Sequence, residues 1–541
     1  MIARLRRDPG LALVWLACAL AIALYAPTLR GNLLDRDDRW LYADNWIVRD
    51  ASVESLRAIA FDTSRPIRGV LGAEYLPVRD TVALVEHAAW GTWWPGFHAV
   101  NLALYVAAIA LWFAALVALG IDRRIAGLAA LLWAVHPTHV EVVAWLAEQK
   151  GLLALALAGA CVLGYARFRA GGSRRWLVLA VVAAVAAVWS KAPAAFTIAA
   201  LAPLELVLPA TAPRRRRAIA LAAIGVATAA AFVPVVVVAL RMGVVSAGER
   251  GGWLAGHGFY VRLAALAVPN AAAYAPAAST LDLVLGALGL AAAVAGACVR
   301  RAPVALRAGC VLWLLGWLPV SRLVLPVQRV ALADRYLEFA TLGAALALAA
   351  GLAAIASRRA RAALVAAIVV AAGARTLAAR GAWHDDVALW ARVVHLDPGD
   401  GDAWAHYSEA LDASGDHVSA AEAIDLGLDH GERPRLLLDK ALATRDRAAV
   451  RPLIERAAEG GDPYAMTDLA LLLDDGDPRA LVWARRALEV GGEHAELESN
   501  LCRVALAAGA ADEAIAACRR AHAMRPADPL TAFELARAIA H

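Results

Sequence analysis

Charge is scarce in this chain of 541 residues, where Asp, Glu, Lys and Arg together make up 19%. A soluble protein of this length carries about a quarter. Hydrophobic residues reach 61% and the mean hydropathy is +0.58. Those values exclude a soluble enzyme with a polar shell, and they exclude a disordered chain. Six cysteines are too few for a disulfide scaffold. Lysine is nearly absent: Lys150, Lys191 and Lys440 are the only three, and arginine supplies the other fifty positive residues. The sequence has no Walker loop, no dinucleotide fingerprint and no serine-nucleophile elbow. An ATP-driven reaction is therefore not expected.

The charge that is present is divided unevenly. Residues 1–380 hold 37 Lys and Arg against 19 Asp and Glu, and residues 381–541 hold 16 against 29. The isoelectric point near 9.0 averages a basic apolar part and an acidic polar part. It does not indicate a nucleic-acid binder. Apolar runs recur at roughly 11–29, 97–119, 125–146, 152–166, 176–190, 192–209, 218–240, 279–299, 308–325, 336–356 and 362–379. A membrane-spanning helix needs about 20 such residues, so about eleven spans are expected. The first run is too long for a cleaved signal peptide.

Arginines set the expected topology. They cluster in alternate connections, at Arg4, Arg6 and Arg7, Arg123 and Arg124, Arg167 to Arg175, Arg214 to Arg217, Arg300 to Arg307, and Arg358 to Arg361. These connections are expected on the cytoplasmic side. That places the N-terminus in the cytoplasm and residues 381–541 on the outer, periplasmic side of an inner membrane. Two outer segments, 30–96 and 241–278, are long; the first is expected to be a structured loop with interfacial helices. Residues 381–541 alternate Ala/Leu-rich helical stretches with Gly-Asp or Asp-Pro turns. Gly509, Ala514, Ala521 and Pro526 sit at the spacing of a 34-residue helical-hairpin repeat. About four tetratricopeptide-like units are expected, the stretch 435–461 being a degenerate one. The fold class is thus all-α: a polytopic membrane domain over 1–380 followed by an α-solenoid. Cys502 and Cys518 fall on the two helices of the last unit and could face each other.

Few residues carry chemistry. Asp37 and Asp38 lie just beyond the outer end of the first span, where carboxylates could take a proton from a hydroxyl, hold a divalent cation, or merely cap a helix. His136, His139, Glu141, Glu148 and Lys150 occupy the outer half of the third run. Ionisable groups at membrane depth are costly and usually line a functional cavity. His136 and His139 share a helical face, whereas Glu141 faces elsewhere unless Pro137 distorts the helix. A His-His-Glu metal site is therefore poorly supported, and hydrogen bonding of the two histidines to an outer loop is the better reading. Lys191 sits at a helix break before Pro193, as a phosphate-binding cation or an interfacial lysine. Arg329, Asp334 and Arg335 lie at another outer end, as phosphate ligands or as an Asp–Arg pair that fixes the loop.

These pieces occur in a recognisable order: Asp37-Asp38 with Asn45, Pro95-Gly-Phe-His98-Ala-Val-Asn101, His136-Pro-Thr-His139-Val-Glu141 with Lys150, Ser190-Lys191, and Ala331-Leu-Ala-Asp334-Arg335-Tyr336. With helical repeats behind them, they resemble the transmembrane and tetratricopeptide-repeat-containing protein O-mannosyltransferases and their bacterial relatives. The resemblance implies a C-type glycosyltransferase fold that uses a polyprenyl-phosphate sugar. It implies a catalytic role for Asp37 and Asp38, and donor-phosphate binding by Lys191, Arg335 and Lys150. His98, Asn101, His136, His139, Glu141 and Asp334 would line the site. The sequence departs from the pattern at Gly151, where relatives usually have Asp, at Tyr105, where they often have His, and at Leu337-Glu338-Phe-Ala.

One mechanism fits both readings. A carboxylate of the 37–38 pair takes the proton of an acceptor hydroxyl, which attacks the anomeric carbon of a mannose-like sugar with inversion while the lipid phosphate leaves. A divalent cation is one occupant the carboxylates could hold, and the sequence leaves metal dependence open. The expected partners are a polyprenyl-phosphate-linked sugar, membrane lipids, and a protein or glycan acceptor held by the repeats. Two rivals stand beside this reading: an oligosaccharide ligase using a lipid-pyrophosphate donor, and a non-catalytic membrane-anchored scaffold for envelope proteins.

Overall fold

The computed structural model describes residues 8–34, 36–209, 213–244, 252–266, 270–272, 274, 279–324, 332–473, 477–492, 494–526 and 528–540. Arg4, Arg6, Arg7, Asp35, Arg329 and Ala331 lie outside the described residues. The chain divides into two compact units. One comprises residues 1–43 and 74–385, the other residues 44–73 and 386–541. Among the described residues there is no strand, only an isolated bridge between Tyr274 and Leu332.

In the first unit the apolar runs fall largely on helix. Among the described residues six helices are long and apolar enough to cross a membrane: Pro9–Arg30, Trp94–Ala118, Leu146–Arg169, Arg214–Arg241, Thr280–Cys298 and Arg358–Gly381. The other runs form shorter helices. The third run departs from the expected continuous helix. It ends at Ala134, and helix resumes only at His139–Ala144. Pro137 removes a backbone donor and disfavours helix at the residue before it. The helices approach closely where glycine permits it. A Cβ on Gly127 would lie 2.6 Å from the Gly10 carbonyl oxygen, and one on Gly309 would lie 2.6 Å from the Ala347 nitrogen. Small residues at such crossings are how apolar helices gain dispersion contacts without a hydrophobic driving force. At the first helix, Asp8 caps the N–H groups of Gly10 and Leu11 and pairs with Arg123 at 2.7 Å.

Helix polarity sorts the charges. Gln149–Arg169 carries Lys150 at its start and Arg167 and Arg169 in its last turn; Arg174–Ser190 starts on arginine and is followed by Lys191. The ends of a 21-residue helix are about 30 Å apart. The arginine clusters and the lysines therefore occupy opposite ends of the same helices.

The second unit contains ten helices of residues 386–540, among them the hairpins Gly401–Ala413 with His417–Asp429, Pro434–Ala443 with Arg447–Glu459, Pro463–Leu472 with Pro478–Gly491, and Ala495–Ala507 with Ala511–Met524. Asp400, Asp416, Asp446, Asp462 and Asp477 cap five of these helices through their side chains, which explains the Asp-rich turns. Gly427 makes room for Trp404, whose Cβ would be 2.7 Å from an added methyl. Cys502 and Cys518 form a disulfide, with Cα atoms 5.3 Å apart. Residues 44–73, read from sequence as part of the first outer loop, belong to this unit; they form the helices Trp46–Arg49, Val53–Phe61 and Arg65–Val70, and the last packs against Ala511–Met524.

Candidate functional site

The two aspartates after the first helix have different surroundings, so the structure separates what the sequence reading treated as a pair. Asp38 is fully buried. Its Oδ2 accepts the Leu34 N–H at 3.0 Å and its Oδ1 the Ala147 N–H at 2.7 Å. Both oxygens thus pin the first outer loop to the turn before Lys150, and the Tyr42 hydroxyl reinforces the pin by donating to the Leu146 carbonyl at 3.0 Å. Asp37 is half-buried and accepts a longer bond, 3.3 Å, from the Trp40 indole. Burial raises its pKa above the ordinary value, against the opposing pull of Lys150, Arg36 and Arg335. It is a carboxylate in the electrostatic field of three cations.

Arg36 was not singled out from sequence. Its guanidinium donates to the Ala272 carbonyl at 3.1 Å, lies 3.9 Å from Glu141 and sits over the Trp145 ring, 4.9 Å from the centroid. Arg335 lies 5.5 Å from the centroid of the same ring. Glu141 is buried beneath them. One of its oxygens holds the Arg335 guanidinium in a very short contact, and the other accepts the Arg335 backbone N–H at 2.9 Å. Glu148 bridges onward, 3.5 Å from Arg335 Nε and 2.7 Å from Lys191 Nζ. Lys191 is also 2.7 Å from Glu338. A continuous chain Glu338–Lys191–Glu148–Arg335–Glu141–Arg36 results, with three carboxylates and three cations. Lys191 and Arg335, expected as phosphate ligands, are thus each already held by two carboxylates.

Lys150 is more accessible. It pairs at 3.1 Å with Glu74, whose side chain is 41% exposed. Glu74 also holds Arg79 at 2.8 Å, and Arg79 is 2.7 Å from Asp80. Burial pushes the Glu74 pKa upward, but Lys150 and Arg79 more than offset it and hold the carboxyl below its usual range.

The remaining expected residues are structural in their contacts. His136 reaches Thr138 at 2.8 Å and the Ala264 carbonyl at 3.1 Å, so this histidine does tie to the second outer segment. His139 instead lies inside the bundle, 2.7 Å from the Tyr105 hydroxyl and 3.0 Å from Thr341 Oγ1. Asn101 donates to the Val143 carbonyl at 3.4 Å. His98 is buried with its ring against Gly31, where an added Cβ would meet Nε2 at 3.2 Å. Asp334 does not pair with Arg335 to fix the loop. It accepts from Asn270 at 2.5 Å and Tyr274 at 2.8 Å, and burial, aided by Glu141, pushes its pKa up to about 8.

A divalent cation does not fit these residues. Among the described residues no three His, Cys, Asp or Glu side chains gather as ligands, and both oxygens of Asp38 are engaged by backbone N–H groups. Hard cations need several converging oxygens.

No protein-family model matches the chain, and no curated protein sequence does. Among solved structures it is similar to the Archaeoglobus fulgidus oligosaccharyltransferase in the apo form, at 13% identity and a TM-score of 0.42, covering 74% of this chain and 59% of that one. It is also similar to the archaeal oligosaccharyltransferase AglB from Archaeoglobus fulgidus in complex with an inhibitory peptide and a dolichol-phosphate, at 15% identity and a TM-score of 0.43, covering 74% and 60%. The chain spans about three fifths of the length of these two proteins.

Proposed function

We propose that this chain is a multi-pass membrane glycosyltransferase that moves a sugar, mannose-like by its sequence resemblance, from a polyprenyl-phosphate donor to a hydroxyl of a protein or glycan acceptor. The observation that carries the reading is Asp37, a half-buried carboxylate whose chain neighbours tie it to the cations: Arg36 shares the Trp145 ring with Arg335, and Asp38 binds the turn before Lys150. In the proposed reaction Asp37 accepts the acceptor hydroxyl proton, and the oxygen bonds to the anomeric carbon as the carbon–oxygen bond to the lipid phosphate breaks. The electron pair leaves on the phosphate, so the anomeric centre inverts and no general acid is needed. Cations preset in a poorly hydrated site stabilise that developing charge. Lys150 and Arg36 are the proposed contacts to the phosphate, with Arg335 and Lys191 as the fixed positive background behind them.

The lysine ends of the helices are proposed to face the periplasm and the arginine ends the cytoplasm. The hairpins of the second unit are proposed to be tetratricopeptide-like and to hold the acceptor; a disulfide between Cys502 and Cys518 suits an oxidising compartment. The test supplies the purified protein with a polyprenyl-monophosphate mannose, or with a polyprenyl-pyrophosphate oligosaccharide, beside a serine- and threonine-containing peptide. Transfer from the monophosphate donor with inverted configuration is expected. Transfer only from the pyrophosphate donor would support an oligosaccharide ligase. Transfer from neither, together with partner binding by the repeats, would replace the reading with a scaffold.

A further inference from the structure

The Glu338 carboxylate sits in a notch that exists because residue 151 is glycine. A Cβ built on Gly151 would fall well inside van der Waals contact of Glu338 Oε2 and 3.1 Å from its Cδ. Glu338 is 1% exposed. Its Oε1 is 2.7 Å from Lys191, while its Oε2, over Gly151, is buried with no hydrogen-bond partner. A buried carboxylate with one unsatisfied oxygen is unfavourable on its own. It is held here by the lysine through Oε1, while Oε2 packs over Gly151. Gly151 directly follows Lys150 on the helix Gln149–Arg169.

We propose that Glu338 is a positioning residue for the transfer reaction: seated in the Gly151 notch, it holds Lys191, and through Glu148 it holds Arg335, at a set distance from Lys150. The proposal rests on the glycosyltransferase reading. It has a geometric corollary. The Cβ of a residue at 151 would clash with Glu338 Oε2, so a carboxylate at 151 and one at 338 would compete for the same notch beside Lys191. Carboxylates at both positions would collide, one at either position would serve, and none would leave Lys191 with Glu148 alone.

The experiment is a cycle of Glu338→Ala, Gly151→Asp and the double variant in detergent-purified full-length protein. Transfer kinetics with polyprenyl-monophosphate mannose and the thermal midpoint are both read, with Glu338→Asp as the conservative control. Each single variant is expected to raise the donor KM about tenfold, the size of one lost charged contact. The double variant is expected to return within about threefold of wild type, and Glu338→Asp to fall between. Sites in contact are non-additive in this way, whereas independent sites add. A double variant as poor as the product of the singles, with wild type active, would overturn the proposal. So would rescue of the midpoint without rescue of KM, because the role would then be structural only. If wild type transfers no sugar while the midpoint shows rescue, the glycosyltransferase reading fails and the pairing of position 151 or 338 with Lys191 stands.

Discussion

Substituting the two adjacent aspartates separately should give opposite phenotypes. In Asp38→Asn one carboxylate oxygen becomes an amide NH2, which must point at either the Leu34 or the Ala147 N–H, now 3.0 and 2.7 Å from an acceptor. One charge-assisted bond, about 1.5–3 kcal/mol, is lost, and a buried N–H is left unsatisfied at about 1–3 kcal/mol. The variant should therefore lose about 2.5–6 kcal/mol. Asp37 accepts only the 3.3 Å bond from Trp40, and burial already disfavours its charge. Asp37→Asn should stay within about 0.5 kcal/mol of wild type. Activity should divide the other way. Removing a general base costs about 10²–10⁴ in rate, so Asp37→Asn should be folded and nearly inactive. Asp38→Asn should keep measurable turnover at temperatures where it remains folded. Thermal unfolding in detergent and transfer rates measured on the same preparations give both numbers. A stable Asp38→Asn, or an Asp37→Asn with wild-type turnover, would refute the separation of the two carboxylates.

Other outcomes follow from the same geometry. The Asp37 pKa is raised by burial and held down chiefly by Lys150, so the acid limb of the pH–rate profile should lie above the ordinary carboxylate range. Lys150→Met should move it to still higher pH. Because the folded state holds this proton more tightly than the unfolded chain, ionising Asp37 removes stability as pH rises from the ordinary value through the folded one. Lys191→Ala leaves Glu148 and Glu338 buried without their common partner and should cost about 3–5 kcal/mol, whereas Arg36→Ala should reduce donor lipid retained through purification, read by mass spectrometry, with less loss of stability. Cys502→Ser opens a disulfide spanning 16 residues and should lower the stability of the second unit by about 3 kcal/mol, without changing the Asp37 acid limb.

Composition and periodicity alone determined that the chain is all-helical and apolar over its first 380 residues, because 20-residue apolar runs and alternating arginine clusters are local features of the string. They also located most of the charged residues around the candidate site, since an ionisable residue in an apolar run is conspicuous wherever the chain folds. Pairing is not local. Glu141 meets Arg335 across 194 residues, and Lys150 meets Glu74 across 76. Neither Arg36 nor Glu74 stood out, for each is one charge among several in a long connection. Asp37 and Asp38 are neighbours of the same type, and only the tertiary structure distinguished them. Successive residues point in different directions, so one carboxylate met two backbone N–H groups and was buried while the other met cations and stayed half-exposed. The same holds for Gly151. In sequence it is a missing side chain; in the fold it is the space that Glu338 fills.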